Sequence, residues 1–113
     1  MVPIHELSIT ESVITTVSEH VAGASVRALT LEIGQLSGLV PDSVRFCFEL
    51  CALGTPCEGA RLDIIATPGR AHCRDCTEYI EVPDSVALCH CGSANLEITG
   101  GQQLKIRQVE IEE

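Results

Sequence analysis

Aromatic side chains are nearly missing from this 113-residue chain, which has two Phe, one Tyr and no Trp. Its core must therefore be assembled from Val, Ile, Leu, Ala and Cys, and a hydrophobic content of 45% is enough for that. Long apolar runs are missing too. None approaches the roughly 18 residues that would cross a bilayer, and no secretory leader is read ahead of the first amphipathic segment. The expectation is a cytoplasmic protein without membrane contact. Basic residues are the third scarcity: 7 Lys and Arg stand against 16 Asp and Glu, for a net charge of −9. Binding a phosphate backbone takes clustered Lys and Arg that release counterions. No such cluster exists, so nucleic acid is not expected as a partner, whereas cations and other proteins are.

Cysteine is present, seven times. The odd count and the absence of a secretion signal argue against a disulfide framework. In a reducing compartment close-spaced cysteines more often hold metal. The chain length suits one compact unit or one domain with a small satellite.

The order of elements is readable from periodicity. Ser8-Ile9-Thr10-Glu11 has the form of a capping box, and Ile9, Val13, Val17 and Val21, with Ile14 alongside, give the following helix one apolar face. This helix is rich in Val, Ile and Thr, which are mediocre helix formers, so packing on a sheet has to hold it. Val26 to Ile33 alternates as a strand, with Leu29, Leu31 and Ile33 on one side. Pro41-Asp42 opens a second helix, for which Phe46, Leu50 and Leu53 are expected as the buried stripe, closed by Gly54. Ala60 to Pro68 reads as a second strand. The terminal stretch around Leu104 to Ile111 returns to a strand pattern but switches parity between Leu104/Ile106 and Val109/Ile111. Regular alternation cannot do that, so a bulge is expected near Arg107-Gln108. The fold class expected is α+β, a small antiparallel sheet with two helices, interrupted by a cysteine-bearing insert. Residues 1–69 and 101–113 would form one discontinuous domain and residues 70–100 the other.

The insert carries Cys73-x-x-Cys76 and Cys89-x-Cys91. Two close pairs joined by a hairpin can close a tetrahedral zinc site, with amides around each turn hydrogen-bonded to the sulfurs. A segment this short needs such a staple to fold, and zinc can contribute roughly 10–16 kcal/mol of apparent binding free energy. The second pair is one residue tighter than the usual spacing. Three readings remain open: an all-cysteine site, a mixed site in which His72 or His90 replaces a thiol, and a metal-free cluster. With four protein ligands the site is closed, hence structural and not hydrolytic. Cys47 and Cys51, four apart on the second helix, read as core residues or as a metal pair; Cys57 is left unassigned.

His5-Glu6 is the remaining metal-capable pair, and its spacing alone is weak evidence. The chain resembles the hydrogenase nickel-incorporation family, HypA/HybF, over its whole length. The resemblance is carried by "HELSI" (5–9), "LEIGQLSGLVPDSVRFCFE" (31–49), "GTPCEGARLDI" (54–64), the cysteine pairs and "LKIRQVEIEE" (104–113). It implies a metallochaperone, not an enzyme, with an α/β domain that binds nickel through His5 and Glu6 and a zinc-ribbon-like domain holding Zn2+ through Cys73, Cys76, Cys89 and Cys91. It further implies transient Ni2+, delivery to the large subunit of [NiFe]-hydrogenase, and a companion GTPase, HypB. Urease is the alternative client, and a monomer or weak homodimer is expected. Ni(II) favours square-planar nitrogen donors, which an imidazole and deprotonated amides near a chain end supply. Asp42 is a candidate extra donor or a helix N-cap.

Here the chain departs from the family's Met-His-Glu start, because Val2-Pro3-Ile4 separate the terminal amine from His5, and Pro3 has no amide proton to lose. Two readings from other classes are also weighed. A zinc-ribbon interaction module for transcription or translation would want a basic or aromatic face, which the charge balance opposes. A zinc hydrolase or deaminase would want an open coordination position with a carboxylate base, and the H-x-E…P-C-x-x-C pattern is absent.

Overall fold

A computed structural model describes the main chain of residues 4–83 and 88–112 and the side chains of residues 6–83 and 88–112. Helix α1 spans Ile4–Val21, strand β1 Val26–Gly34, helix α2 Pro41–Cys51 and β2 Arg61–Thr67. Then follow β3 (Gly69–Cys73), β4 (Tyr79–Val82), β5 (Leu96–Gly100) and β6 (Leu104–Ile111).

Helix α1 begins a full turn before the expected capping box. Pro3 stands immediately before it in the sequence, and proline favours helix starts. Ser8 and Glu11 consequently lie inside the helix. The hydroxyls in this stretch bond backwards instead: Thr10 Oγ1 donates to the Glu6 carbonyl at 2.6 Å and Ser12 Oγ to that of Ser8 at 3.1 Å. His5 and Glu6 therefore sit in the first helical turn and not ahead of it. Val13, Ile14 and Val17 are buried as their spacing requires, and Glu6 and Thr10 extend the same buried seam towards the helix start.

β1 is the central strand of a sheet ordered β2-β1-β6. It runs parallel to β2 and antiparallel to β6. The parallel pairing follows from α2, which supplies the crossover that two parallel neighbours need. Both helices contribute to a single core with the sheet: Val13, Ile14 and Val17 of α1 and Val44 and Phe48 of α2 cluster with Val26, Leu29, Leu31 and Ile33 of β1. Along β6, Thr30 faces Gln108 and Leu31 faces Ile106, which leaves Arg107 as the extra residue. The bulge thus sits where the parity of the sequence switches.

The buried face of α2 differs from the expected one. Val44, Cys47 and Phe48 point inward, whereas Phe46, Leu50 and Leu53 are 48%, 51% and 64% exposed. Both sets fit one helical face, Phe46/Leu50/Leu53 at i, i+4, i+7 and Val44/Cys47/Phe48 at i, i+3, i+4, and cysteine counts as a small buried apolar residue. Once Cys47 is given that weight, its stripe competes with the bulkier one. Cys57 is fully buried in the same core.

The second sheet is antiparallel throughout, ordered β4-β3-β5. Its junction with the first is made backbone to backbone. A Cβ on Gly34 would lie 2.1 Å from the Gly101 carbonyl oxygen, and one on Gly101, whose φ is +88°, would lie 2.5 Å from Gly69 Cα. Leu36 N–H donates to the Gly101 carbonyl at 2.6 Å. Only glycine permits this approach.

Candidate metal centre

Cys73 ends β3, and the chain then folds tightly: Thr77 N–H returns to the Cys73 carbonyl at 2.8 Å and Cys73 N–H to that of Glu78 at 2.9 Å. This turn presents Cys76 beside Cys73. The second pair is also on a turn, closed by Gly92 N–H to the Cys89 carbonyl at 2.8 Å and by Cys89 N–H to that of Ser93 at 2.9 Å. Gly92 adopts φ 91° there, so the one-residue spacing turns its thiols together where an extended strand would not. Arg74 N–H donates to the Asn95 carbonyl at 3.0 Å, and the Asp75 carboxylate accepts from the Ser93 hydroxyl and from Asn95 Nδ2. Those bonds tie the two turns to one another.

The four sulfurs of Cys73, Cys76, Cys89 and Cys91 all lie within 4.8 Å of each other. Cys73–Cys91 is 3.7 Å and Cys76–Cys89 is 3.6 Å. A tetrahedral ion with Zn–S bonds of about 2.3 Å needs sulfurs about 3.8 Å apart, so the cluster has the dimensions of a zinc site. Cys73 and Cys89 are buried, Cys76 is half-buried and Cys91 is exposed. Main-chain amides already reach the sulfurs, as in the Cys76 N–H contact with Cys73 Sγ at 3.5 Å. Without metal the four thiols are electrostatically unequal. The amide of Cys76, helped by that of Asp75, lowers the Cys73 thiol to about 6. The Glu78 amide acts on Cys76 in the same direction, but burial and the surrounding sulfurs outweigh it and push that thiol up to about 12. A dication relieves this inequality by taking all four as thiolates.

Neither neighbouring histidine joins the cluster. His72 stacks at 4.7 Å on Tyr79. His90 turns Nε2 to the Glu78 carboxylate at 2.7 Å, and its Nδ1 is 3.9 Å from Cys89 Sγ. Cys47 and Cys51 are likewise not part of any metal-sized group among the described residues. Burial raises both thiols, with Glu6 adding to the effect on Cys47 and Glu11 on Cys51, which suits packed, protonated cysteines.

The side chain of His5 lies outside the described residues. Glu6 is described, and it is 3% exposed. Its Oε1 accepts the Val40 N–H at 3.3 Å. Val40 is the N-cap of α2 and has no side-chain cap of its own, while Asp42 lies within the first turn. A glutamate inside a capping box normally serves the N-cap amide from three residues away; here the acceptor comes from 34 residues earlier in the chain. Sequence reading placed Glu6 beside His5 but could not see this partner. The one available signal was the i, i+4, i+7 relation of Glu6, Thr10 and Val13 on the buried seam.

A small α+β protein, with helices packed on one sheet and a four-thiol centre in a second, is the class that fold and site define. Its sequence matches the family described as "Hydrogenase/urease nickel incorporation, metallochaperone, hypA" over residues 4–111. Hydrogenase maturation factor HypA of Rippkaea orientalis is 51% identical over 110 residues, covering 96% of each chain. The protein of the same name from Trichormus variabilis is 45% identical over 109 residues, again covering 96% of each. Among solved structures, the Ni metallochaperone HypA from Helicobacter pylori superposes with a TM-score of 0.66 at 25% identity, covering 94% of this chain and 96% of that one. The chain belongs to the HypA family of nickel metallochaperones.

Proposed function

We propose that this protein takes up Ni(II) transiently at its leading end and delivers it to the large-subunit precursor of a [NiFe]-hydrogenase in the cytoplasm. A HypB-type GTPase acts as its nickel donor or helper, and the protein itself catalyses no reaction. In this reading residues 1–69 and 101–113 carry nickel, and residues 70–100 carry a permanent zinc ion on Cys73, Cys76, Cys89 and Cys91. The observation that carries the reading is the family match across residues 4–111, whose printed description also leaves urease as an alternative client.

The local chemistry supports it. A helix that starts at Ile4 has no intrahelical acceptors for the amides of its first turn, so the His5 and Glu6 nitrogens are not engaged in the helix ladder. The positive end of the helix opposes a bare cation. Amides that lose a proton on binding remove that obstacle, and an imidazole with deprotonated amides suits square-planar Ni(II). The Glu6 carboxylate then serves as the strut to α2, and its nitrogen as the ligand. His5→Ala, made on protein with a defined N-terminus, is expected to abolish nickel binding while leaving zinc content and circular dichroism unchanged. Undiminished nickel affinity in that variant would overturn the assignment.

A further inference from the structure

Phe46, Leu50 and Leu53 are apolar side chains of the α2 segment that the core leaves out, each about half exposed or more. Single exposed leucines are ordinary on a protein surface, but these three are not single. They fall at i, i+4 and i+7, the spacing by which a helix presents anchors along one line. Successive residues turn by about 100° around a helix, which places Asp42, Phe46, Glu49 and Leu53 within about 60° of one another and Leu50 about 40° beyond Phe46. Val44, Cys47 and Phe48 are buried on the other side. The outward face is therefore an apolar line with carboxylates set beside it.

Its electrostatics are one-sided. Asp42 and Glu49 are exposed and take part in no ion pair among the described residues. Arg45, the one basic residue of the helix, is held on β2 by a bond of 2.6 Å to the Leu62 carbonyl. The last turn of α2 carries no basic residue, although the negative end of the helix dipole favours one there. A carboxylate stands at that end instead: Glu58 Oε1 accepts the Gly54 N–H at 2.8 Å, one residue past Leu53. Negative charge thus borders the apolar line along its length and at its end.

We propose that this face of α2 is the docking surface for a partner protein that presents a cationic amphipathic helix. An apolar stripe on that helix covers Phe46, Leu50 and Leu53, and Lys or Arg beside the stripe meets Asp42, Glu49 and Glu58. Other occupants suit the charges less well. A second copy would bring like carboxylates together, and an anionic membrane would be repelled by them. This surface is independent of the nickel reading.

The probe is a synthetic helix of about four turns, with leucine on one face and lysine on the other. Its counterpart carries glutamate in place of lysine. Each is titrated into isotope-labelled, zinc-loaded protein and followed by amide chemical shifts. The expected result is saturable binding of the lysine peptide, with shifts concentrated on α2 and Glu58, and no binding of the glutamate peptide. Leu50→Ser and Leu53→Ser change exposed side chains, so circular dichroism should stay the same while each weakens binding roughly tenfold. Asp42→Lys with Glu49→Lys should abolish binding of the lysine peptide and admit the glutamate peptide. Glu97→Lys with Glu110→Lys, the same change of charge on β5 and β6, should leave the affinity nearly unchanged. Equal binding of both peptides, shifts spread over the other acidic surfaces, or an affinity that ignores Leu50→Ser and Leu53→Ser would overturn the proposal. So would shifts on α2 that grow with protein concentration alone, which mark a second copy as the occupant, or that appear with phosphatidylcholine vesicles, which mark a membrane.

Discussion

Replacing Glu6 by alanine removes a buried carboxylate that links the two helices. The Val40 N–H at the start of α2 then loses its acceptor, and α2 has no side-chain N-cap of its own to replace it. Leaving a buried donor unsatisfied costs about 1–3 kcal/mol. The Val40 side chain is 52% exposed, so water can reach part of the site and the lower half of that range applies. Loss of a negative charge from the positive end of α2 adds about 0.3–1 kcal/mol. Together these predict about 1.3–3 kcal/mol of destabilisation for Glu6→Ala. Glu6→Gln keeps an acceptor oxygen and the side-chain volume, so only the charge contribution of about 0.3–1 kcal/mol should be lost. Urea unfolding of zinc-loaded wild type and both variants, followed by circular dichroism, measures the two differences. Equal stability of Glu6→Ala and wild type would refute the strut, as would a Glu6→Gln variant no better than Glu6→Ala.

Gly34→Ala should be among the most damaging conservative changes in the molecule, because its methyl would overlap the Gly101 carbonyl; loss of about 1–3 kcal/mol or more in thermal or urea unfolding is expected, and a neutral effect would contradict the close junction. Chelating the zinc should melt β3, β4 and β5 while the core of α1, α2 and the first sheet persists, seen as selective loss of amide protection in the insert. Acid should have the same effect, because protons compete with the metal for four sulfurs that bind it only as thiolates. Zinc release to a colorimetric chelator should therefore increase as pH falls, and a pH-independent profile would contradict thiolate ligation.

Local signals carried most of the architecture. The alternation in Val26–Ile33 and the parity switch in β6 translate directly into a strand and a bulge, because side-chain direction in a strand depends only on neighbouring residues. The cysteine spacings likewise bring four thiols together through two short turns whose geometry is set within a few residues. What was not legible depends on partners far away in the chain. The buried face of α2 is decided by what α1 and β1 offer, and periodicity fits both Phe46/Leu50/Leu53 and Val44/Cys47/Phe48. Glu6 was legible only as a metal-capable neighbour of His5, because its acceptor role is fulfilled at Val40, 34 residues away. Cys57 gave no pattern at all, yet it closes the core. The start of α1 was displaced by a capping motif that happens to lie inside the helix, where its hydroxyl groups bond back along the turn.

One chain holding two metals by different chemistry is the claim on which the functional account rests. X-ray absorption at the zinc and nickel edges, on protein of verified N-terminus at neutral pH, addresses both ions in one sample. The account predicts one zinc bound by four sulfurs and one nickel bound by nitrogen donors in a planar arrangement, lost in His5→Ala. Zinc at full occupancy with no stoichiometric nickel, or nickel found on the sulfurs, would contradict it.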